Sequence, residues 1–195
     1  MENNTDKPHY GKMGDVPFEI PASWAWVKLG EIGKWQSGTT PSKANSSYYK
    51  DGSIPWLNTG DLNDGIVVDI PKKITEKALA ETSLHLNEAG SICIAMYGAT
   101  IGKLGILSEP ATTNQACCVC NKLESFVSKM WLFYFLMNHK QEFIKSGFGG
   151  AQANISKEKI TSTFFPLPPL AEQKRIVEKI ENVFASLDEI SLHLV

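Results

Sequence analysis

Apolar residues in the last thirty positions, PLPPLAEQKRIVEKIENVFASLDEISLHLV, recur at Ile176, Ile180, Val183, Leu187, Ile190 and Leu194. The spacing of four, three, four, three and four predicts a helix with a coiled-coil seam, which Val177 and Phe184 widen on one flank. Glu172, Lys174, Arg175, Glu178, Lys179, Glu181, Asp188 and Glu189 fill the intervening positions, a solvated face of mixed sign. Pro168 and Pro169 fix the approach to this helix, because a proline in its first position loses no hydrogen bond. So one-sided a helix needs a surface to lie against.

Upstream, the pattern alternates between short apolar runs and polar loops. WAWVKL, SIPWLN, GSICIAM, KLGIL, NQACCVCNKL and TSTFFPL read as strands. TEKALAET, from Thr75 to Thr82, reads as a short helix behind a Thr75 cap. A longer helix is expected from a Ser125 cap to Gly147; its first half is apolar nearly all round and should be buried. A helical turn is expected near Lys157 to Ile160. These elements predict an α+β fold, a globular mixed-sheet domain followed by a coiled-coil-type helix. The expected divisions are a tail at 1–16, the domain at 17–166 and the helix at 167–195.

Composition narrows the class. The chain has 195 residues, 43% hydrophobic and 10% aromatic, enough for a core. The N-terminal stretch lacks an apolar signal region, and the longest apolar run, Met130 to Met137, is too short to span a bilayer. A cytoplasmic protein without membrane contact is expected. Cys93, Cys117, Cys118 and Cys120 include one C-x-x-C without a second pair, so a zinc site is not expected. In a strand, Cys118 and Cys120 would share a face and Cys117 would oppose them. They are expected to be small buried hydrophobes, with no metal or other cofactor.

Net charge is −2, against the basic excess usual in nucleic-acid binders, yet the lysines are unevenly placed. Lys34, Lys43 and Lys50 share a stretch with no acid, and Lys140, Lys145, Lys157 and Lys159 face only Glu142 and Glu158. YGATIGKLG fails as a phosphate loop, because Tyr97 replaces the first glycine and Leu104 the metal-binding hydroxyl. Neither a Ser-His-Asp set nor a paired-carboxylate context is present, so a non-catalytic protein is expected.

Ser, Thr, Asn, Gln, Lys and Tyr in the polar loops are side chains able to grip phosphates and read base edges. The DNA-contact candidates are Ser37, Thr39, Thr40, Lys43, Tyr48, Tyr49 and Lys50 in the first loop. Tyr97, Thr100 and Lys103, then Gln115, and finally Lys145, Gln152 and Asn154 complete the set. Arg175 is the only arginine, and it lies on the closing helix, so guanine reading by arginine is excluded from the domain. Adenine contacts from Gln36, Gln115, Gln152 or Asn154 are favoured instead. The alternative is that these are solvated loops with nothing bound.

FEIPASWAWVKLGEIG, YYKDGSIPWLNTGDLNDG, GSICIAMYGATIGKLGIL, TTNQA, GGAQANIS and PLPPLAEQKRIVEKIE occur in this order. The set resembles a single target recognition domain with its spacer helix from a type I restriction-modification specificity subunit. PLPPLAEQKRIV is its most specific element, and the likeness runs from about Pro17 onward. The resemblance implies a reader of double-stranded DNA that takes half of a bipartite site. It also implies docking of DNA adenine methyltransferase subunits on the helix, with a restriction subunit able to join. Such subunits usually carry two recognition domains, so one domain here implies the first half of a longer chain or a half-subunit. The half-subunit would form a homodimer through Ile176, Ile180, Val183, Leu187, Ile190 and Leu194 and read a palindrome with a gap. A helix-mediated assembly module whose domain does not itself bind DNA tightly is the other reading.

Overall fold

Alternation of short buried strands with loops builds one central sheet, seen in a computed structural model that describes residues 16–147 and 154–193. Its five strands lie in the order β2 (Gly33–Ser37), β9 (Cys117–Leu123), β6 (Ile92–Ala95), β7 (Leu104–Leu107) and β4 (Gly65–Val67). All neighbours are antiparallel except β4 and β7, which are parallel. Flanking it, β1 (Ala25–Lys28) pairs antiparallel with β10 (Phe164–Leu167). A third sheet sets β3 (Ile54–Leu57) between β5 (Lys73–Ile74) and β8 (Thr112–Thr113).

The central sheet is covered on both faces, which is why ICIA, LGIL and CCVC are continuous apolar runs rather than alternating ones. On one face Ile92, Ile94, Cys118 and Cys120 meet Leu132, Phe133, Leu136 and Phe143 of helix α2 (Lys129–Gly147). The opposite face packs Cys93, Ala95, Cys117 and Val119 against Leu57, Leu62, Val67 and Leu107. Cys118 and Cys120 share one side and Cys117 the other, as strand geometry requires. A smaller core under β3 contains Ile54, Trp56, Ile74 and Leu84, with Ala78 from helix α1 (Glu76–Glu81). Thr75 caps α1, its hydroxyl accepting from the Ala78 N–H at 3.2 Å.

Sequence and structure differ at several elements. β2, β4, β5 and β8 were not expected; their short segments show no apolar period and are held by pairing with neighbours. Helix α2 starts at Lys129 rather than after Ser125. Residues 124–127 form a turn instead, closed by the Val127 N–H donating to the Glu124 carbonyl at 3.0 Å. Helix α3 (Lys157–Thr161) forms where a helical turn was expected, whereas the closing helix α4 (Leu170–His193) starts three residues later than the expected 167, because Leu167 ends β10 and Pro169 lies just outside the helix.

A buried amide joins α4 to the domain. Gln173 has no exposed surface, and its Oε1 accepts from the Ser128 N–H at 2.7 Å, at the start of α2. Its Nε2 donates to the carbonyls of Phe126 at 2.9 Å and Pro168 at 2.8 Å. Next to it, the Trp24 indole N–H donates to Glu172 at 3.1 Å. Val177 is buried one turn on, and the Phe184 ring meets Tyr134 of α2 at 6.1 Å. The seam lies on a different face. Ile176 and Ile180 line a groove of about 620 Å³ with Trp24, Trp131 and His139. Val183, Leu187 and Ile190 are 48%, 51% and 57% exposed, and Leu194 lies outside the described residues. Beyond Phe184, from Ala185 to His193, every residue of the helix is exposed, a stretch of about 14 Å at 1.5 Å per residue.

Gln173→Leu should destabilise the domain by on the order of 3 kcal/mol, because three backbone groups lose their partner. Urea unfolding of parent and variant measures the difference.

Candidate nucleic-acid interface

Strand direction decides which loops can act together. Because β9 runs antiparallel to β2 and β6, and β6 to β7, four strand ends meet at one end of the sheet. Ser37 to Thr40, Tyr97, Lys103 and Asn114 to Ala116 occupy that end. The parallel pairing of β3 with β8 brings Asn58 there too: Asn114 donates through its backbone to Leu57 at 3.0 Å and through Nδ2 to Asn58 at 3.3 Å. A bridge joins Tyr97 to Asn154, and the Ile155 N–H donates to the Met96 carbonyl at 2.9 Å. Lys145 is exposed in the last turn of α2, where the neighbouring Gly147 abuts Ile101 and Asn154. Gln152 lies outside the described residues.

The first loop is pressed onto the sheet. Gly38 donates to the Cys117 carbonyl at 3.3 Å and Thr39 to the Thr113 carbonyl at 3.0 Å. A side chain at Gly38 would put its Cβ 2.0 Å from the Thr113 carbonyl oxygen, so only glycine permits the approach. The paired tyrosines knit the loop together. Tyr49 donates its hydroxyl to the Pro41 carbonyl and packs edge-on against Trp56 at 5.9 Å. Burial pushes its phenol above the ordinary value. The Tyr48 hydroxyl donates to Glu81 at 3.1 Å. Lys50 is exposed on the turn that returns the chain to β3.

Ser37 belongs to β2, opposite Cys118. Thr39 shares a 2.8 Å hydrogen bond with Ser83, Thr40 donates to Gln115, and Thr100 donates to the Tyr97 carbonyl at 3.0 Å. Gln36 donates to Asn87 at 2.8 Å and so serves the fold. Thr40, Lys43, Tyr49 and Gln115 line an open polar cleft of about 600 Å³ together with Trp56, Asn58, Lys72 and Asn114. The last four were not singled out from the sequence. Their only local signal is the turn chemistry of Asn58, whose N–H donates to Asp61 at 2.7 Å.

Two acids near this end are engaged within the protein. Asp61 holds Asn58, and Asp64 accepts from the Leu104 N–H at 2.9 Å and from Lys140 Nζ at 2.8 Å. Lys43, Lys72, Lys103 and Lys145 enter no ion pair among the described residues. Lys43, Lys72 and Lys145 are exposed, while Asp51 is the exposed acid of the first loop. Among the described residues there is no group of three His, Cys, Asp or Glu able to hold a metal, and no helix long and apolar enough to cross a membrane.

Residues 21–193 match the family model described as the Type I restriction modification DNA specificity domain. The chain belongs to that family. The specificity domain is 32% identical over 162 residues to the type I restriction enzyme EcoR124I/EcoR124II specificity subunit of Escherichia coli, covering 80% of this chain and 40% of the relative. It is 30% identical over 176 residues to the MjaIX specificity subunit of Methanocaldococcus jannaschii, covering 88% and 39%. The chain thus spans about 40% of the length of these curated relatives. The crystal structure of the HsdS subunit from Thermoanaerobacter tengcongensis shares its fold with a TM-score of 0.73 at 21% identity, over 96% of this chain and 42% of that one. Membership in a specificity family makes the chain a non-catalytic component, and the fold is the expected α+β one.

Within the specificity domain, Asp64 anchors the turn before β4. Burial pushes its carboxyl up, but the Lys140 and Leu104 hydrogen bonds and the charges of Lys140 and Lys103 outweigh it, and the group is held below its ordinary value. A depressed carboxyl stabilises the fold above its unfolded value near ~3.9, and the contribution is lost as pH falls through the folded value. Both side chains are about a third exposed, which limits the pair to about 1 kcal/mol or less. Asp64→Asn should therefore be less stable than the parent at pH 7. The difference should begin to close below about pH 4 and vanish once pH has fallen through the folded value, in unfolding curves recorded across that range.

Proposed function

We propose that this domain reads one half of a bipartite site in double-stranded DNA, and that α4 is its docking element. The observation that carries the reading is the convergence of separate polar loops, with outward lysines, on one end of the central sheet. Lys43, Lys72 and Lys145 would hold phosphates, and Gln115, Asn154 and Tyr97 stand where base edges would lie. The relatives are specificity subunits of type I restriction enzymes. On this reading DNA adenine methyltransferase subunits dock along the helix, a restriction subunit can join them, and the assembly works in the cytoplasm.

α4 packs its seam against a second helix, from another copy of the chain or from a continuation of it. A two-fold pair of copies would read a palindrome with a gap. At 24 residues α4 is about 36 Å long, close to the roughly 34 Å of one DNA turn. The exposure of Val183, Leu187 and Ile190 also supports the second reading, an assembly module whose working surface is the helix alone.

DNA binding across a salt series, with the cognate methyltransferase subunits present, separates the two. Lys43→Ala should weaken binding to every sequence and lower the salt slope by about one unit. Lys122→Ala, at the opposite end of the sheet, should change neither. If Leu187→Lys abolishes binding while Lys43→Ala binds like the parent, the assembly reading holds instead.

A further inference from the structure

Within the polar cleft, one contact joins two loops that are each clamped to the sheet. Thr40 follows the segment fixed by the Gly38 and Thr39 backbone bonds, and the Thr39 carbonyl also accepts from the Trp56 indole at 3.1 Å. Gln115 sits between Asn114, whose side chain accepts from the Ala116 N–H at 3.1 Å, and Ala116, whose carbonyl accepts from the Met96 N–H at 2.8 Å. Across the gap, the Thr40 hydroxyl donates to Oε1 of Gln115. Gln115 itself is exposed, and its Nε2 has no hydrogen-bond partner among the described residues.

We propose that Thr40 is a positioning residue that holds the Gln115 amide oxygen inward and presents its Nε2 as a hydrogen-bond donor to one base of the recognised site. The inference rests on the DNA-reading function proposed above. A glutamine reads adenine by two bonds only when its oxygen and nitrogen both face the base edge. Here the oxygen already accepts from Thr40, so Nε2 is the end of the amide left without a partner among the described residues, and it is offered as the donor. It pairs with a base that offers an acceptor: guanine through N7 or O6, adenine through N7, thymine through O4. Cytosine, which presents its N4 amine in the major groove, leaves two donors opposed and is rejected. Because both loops are fixed by backbone bonds to the sheet, the orientation exists before DNA arrives, and no ordering is needed on binding.

The test is selection of bound duplexes from a randomised pool by the full chain with the cognate methyltransferase subunits, followed by sequencing. The parent is compared with Thr40→Val, Thr40→Ser and Gln115→Met. The parent should deplete cytosine at one position, and Thr40→Val should relax that discrimination by about two- to tenfold with other positions unchanged. Gln115→Met should relax the same position, and the double variant should be no worse than Gln115→Met alone. Thr40→Ser, which keeps the hydroxyl, should retain the parent preference, and the salt slope should be the same for all because no phosphate contact is touched. Parent-like selectivity in Thr40→Val, or loss of it in Thr40→Ser, would overturn the proposal. So would a change confined to the salt slope, which would make Thr40 a phosphate contact. A parent that enriches no sequence would overturn the DNA-reading function itself, a result distinct from the others.

Discussion

Residues Cys117 to Cys120 of β9 are buried on both faces, between β2 on one edge and β6 on the other. Such a position admits apolar side chains without unmet polar groups, and three cysteines and one valine satisfy it. The hydrogen bond to Cys93 and burial push the Cys117 thiol up, and burial pushes Cys118 up and Cys120 to about 12, so these side chains are neutral packing atoms. Since β9 is antiparallel to both neighbours, its N-terminal end fixes where the chain leaves β2 and β6. Gly38, Gln115 and Tyr97 are brought to one end of the molecule by that single strand.

The closing helix solves a second problem, that of presenting an apolar seam without collapsing it onto the domain. Gln173, Val177 and Phe184 form the stripe that faces α2, while Val183, Leu187 and Ile190 lie on a neighbouring face. The polar latch matters because backbone groups near the start of α2 and before α4 would otherwise be buried without partners. An apolar stripe alone could slide; three hydrogen bonds from one amide set both position and rotation. The helix then leaves the domain in a fixed direction.

Much of this was legible in the sequence because long periodic or continuous apolar segments declare themselves. Helix α4 and the cysteine strand are such cases, the Thr75 cap is read from its residue type, and PLPPLAEQKRIV marks the family. What escaped depends on partners distant in the chain. GKWQS shows no strand period, yet β2 forms because β9 is there to pair with it. The β4, β5 and β8 segments have two or three residues each and exist only as pairings. Tyr48 and Tyr49 look like outward side chains until Glu81 and Pro41 are placed beside them. Asn58, Lys72 and Asn114 come from three separate segments, so no local motif announces the cleft. Gln173, quoted within the family motif, carried no hint that its amide was a latch.

Cross-linking from single introduced cysteines tests most directly whether the loop end of the sheet carries DNA. The four native cysteines are at most 3% exposed, so an introduced surface thiol is the reactive one. Cysteine would replace Lys43 or Thr100 at the loop end, or Lys122 at the other, and carry a photo-activated cross-linker in the complex with methyltransferase subunits and bound duplex. The account predicts DNA adducts from positions 43 and 100 and none from 122. Adducts from 122 alone, or none from 43 and 100 while duplex remains bound, would contradict it.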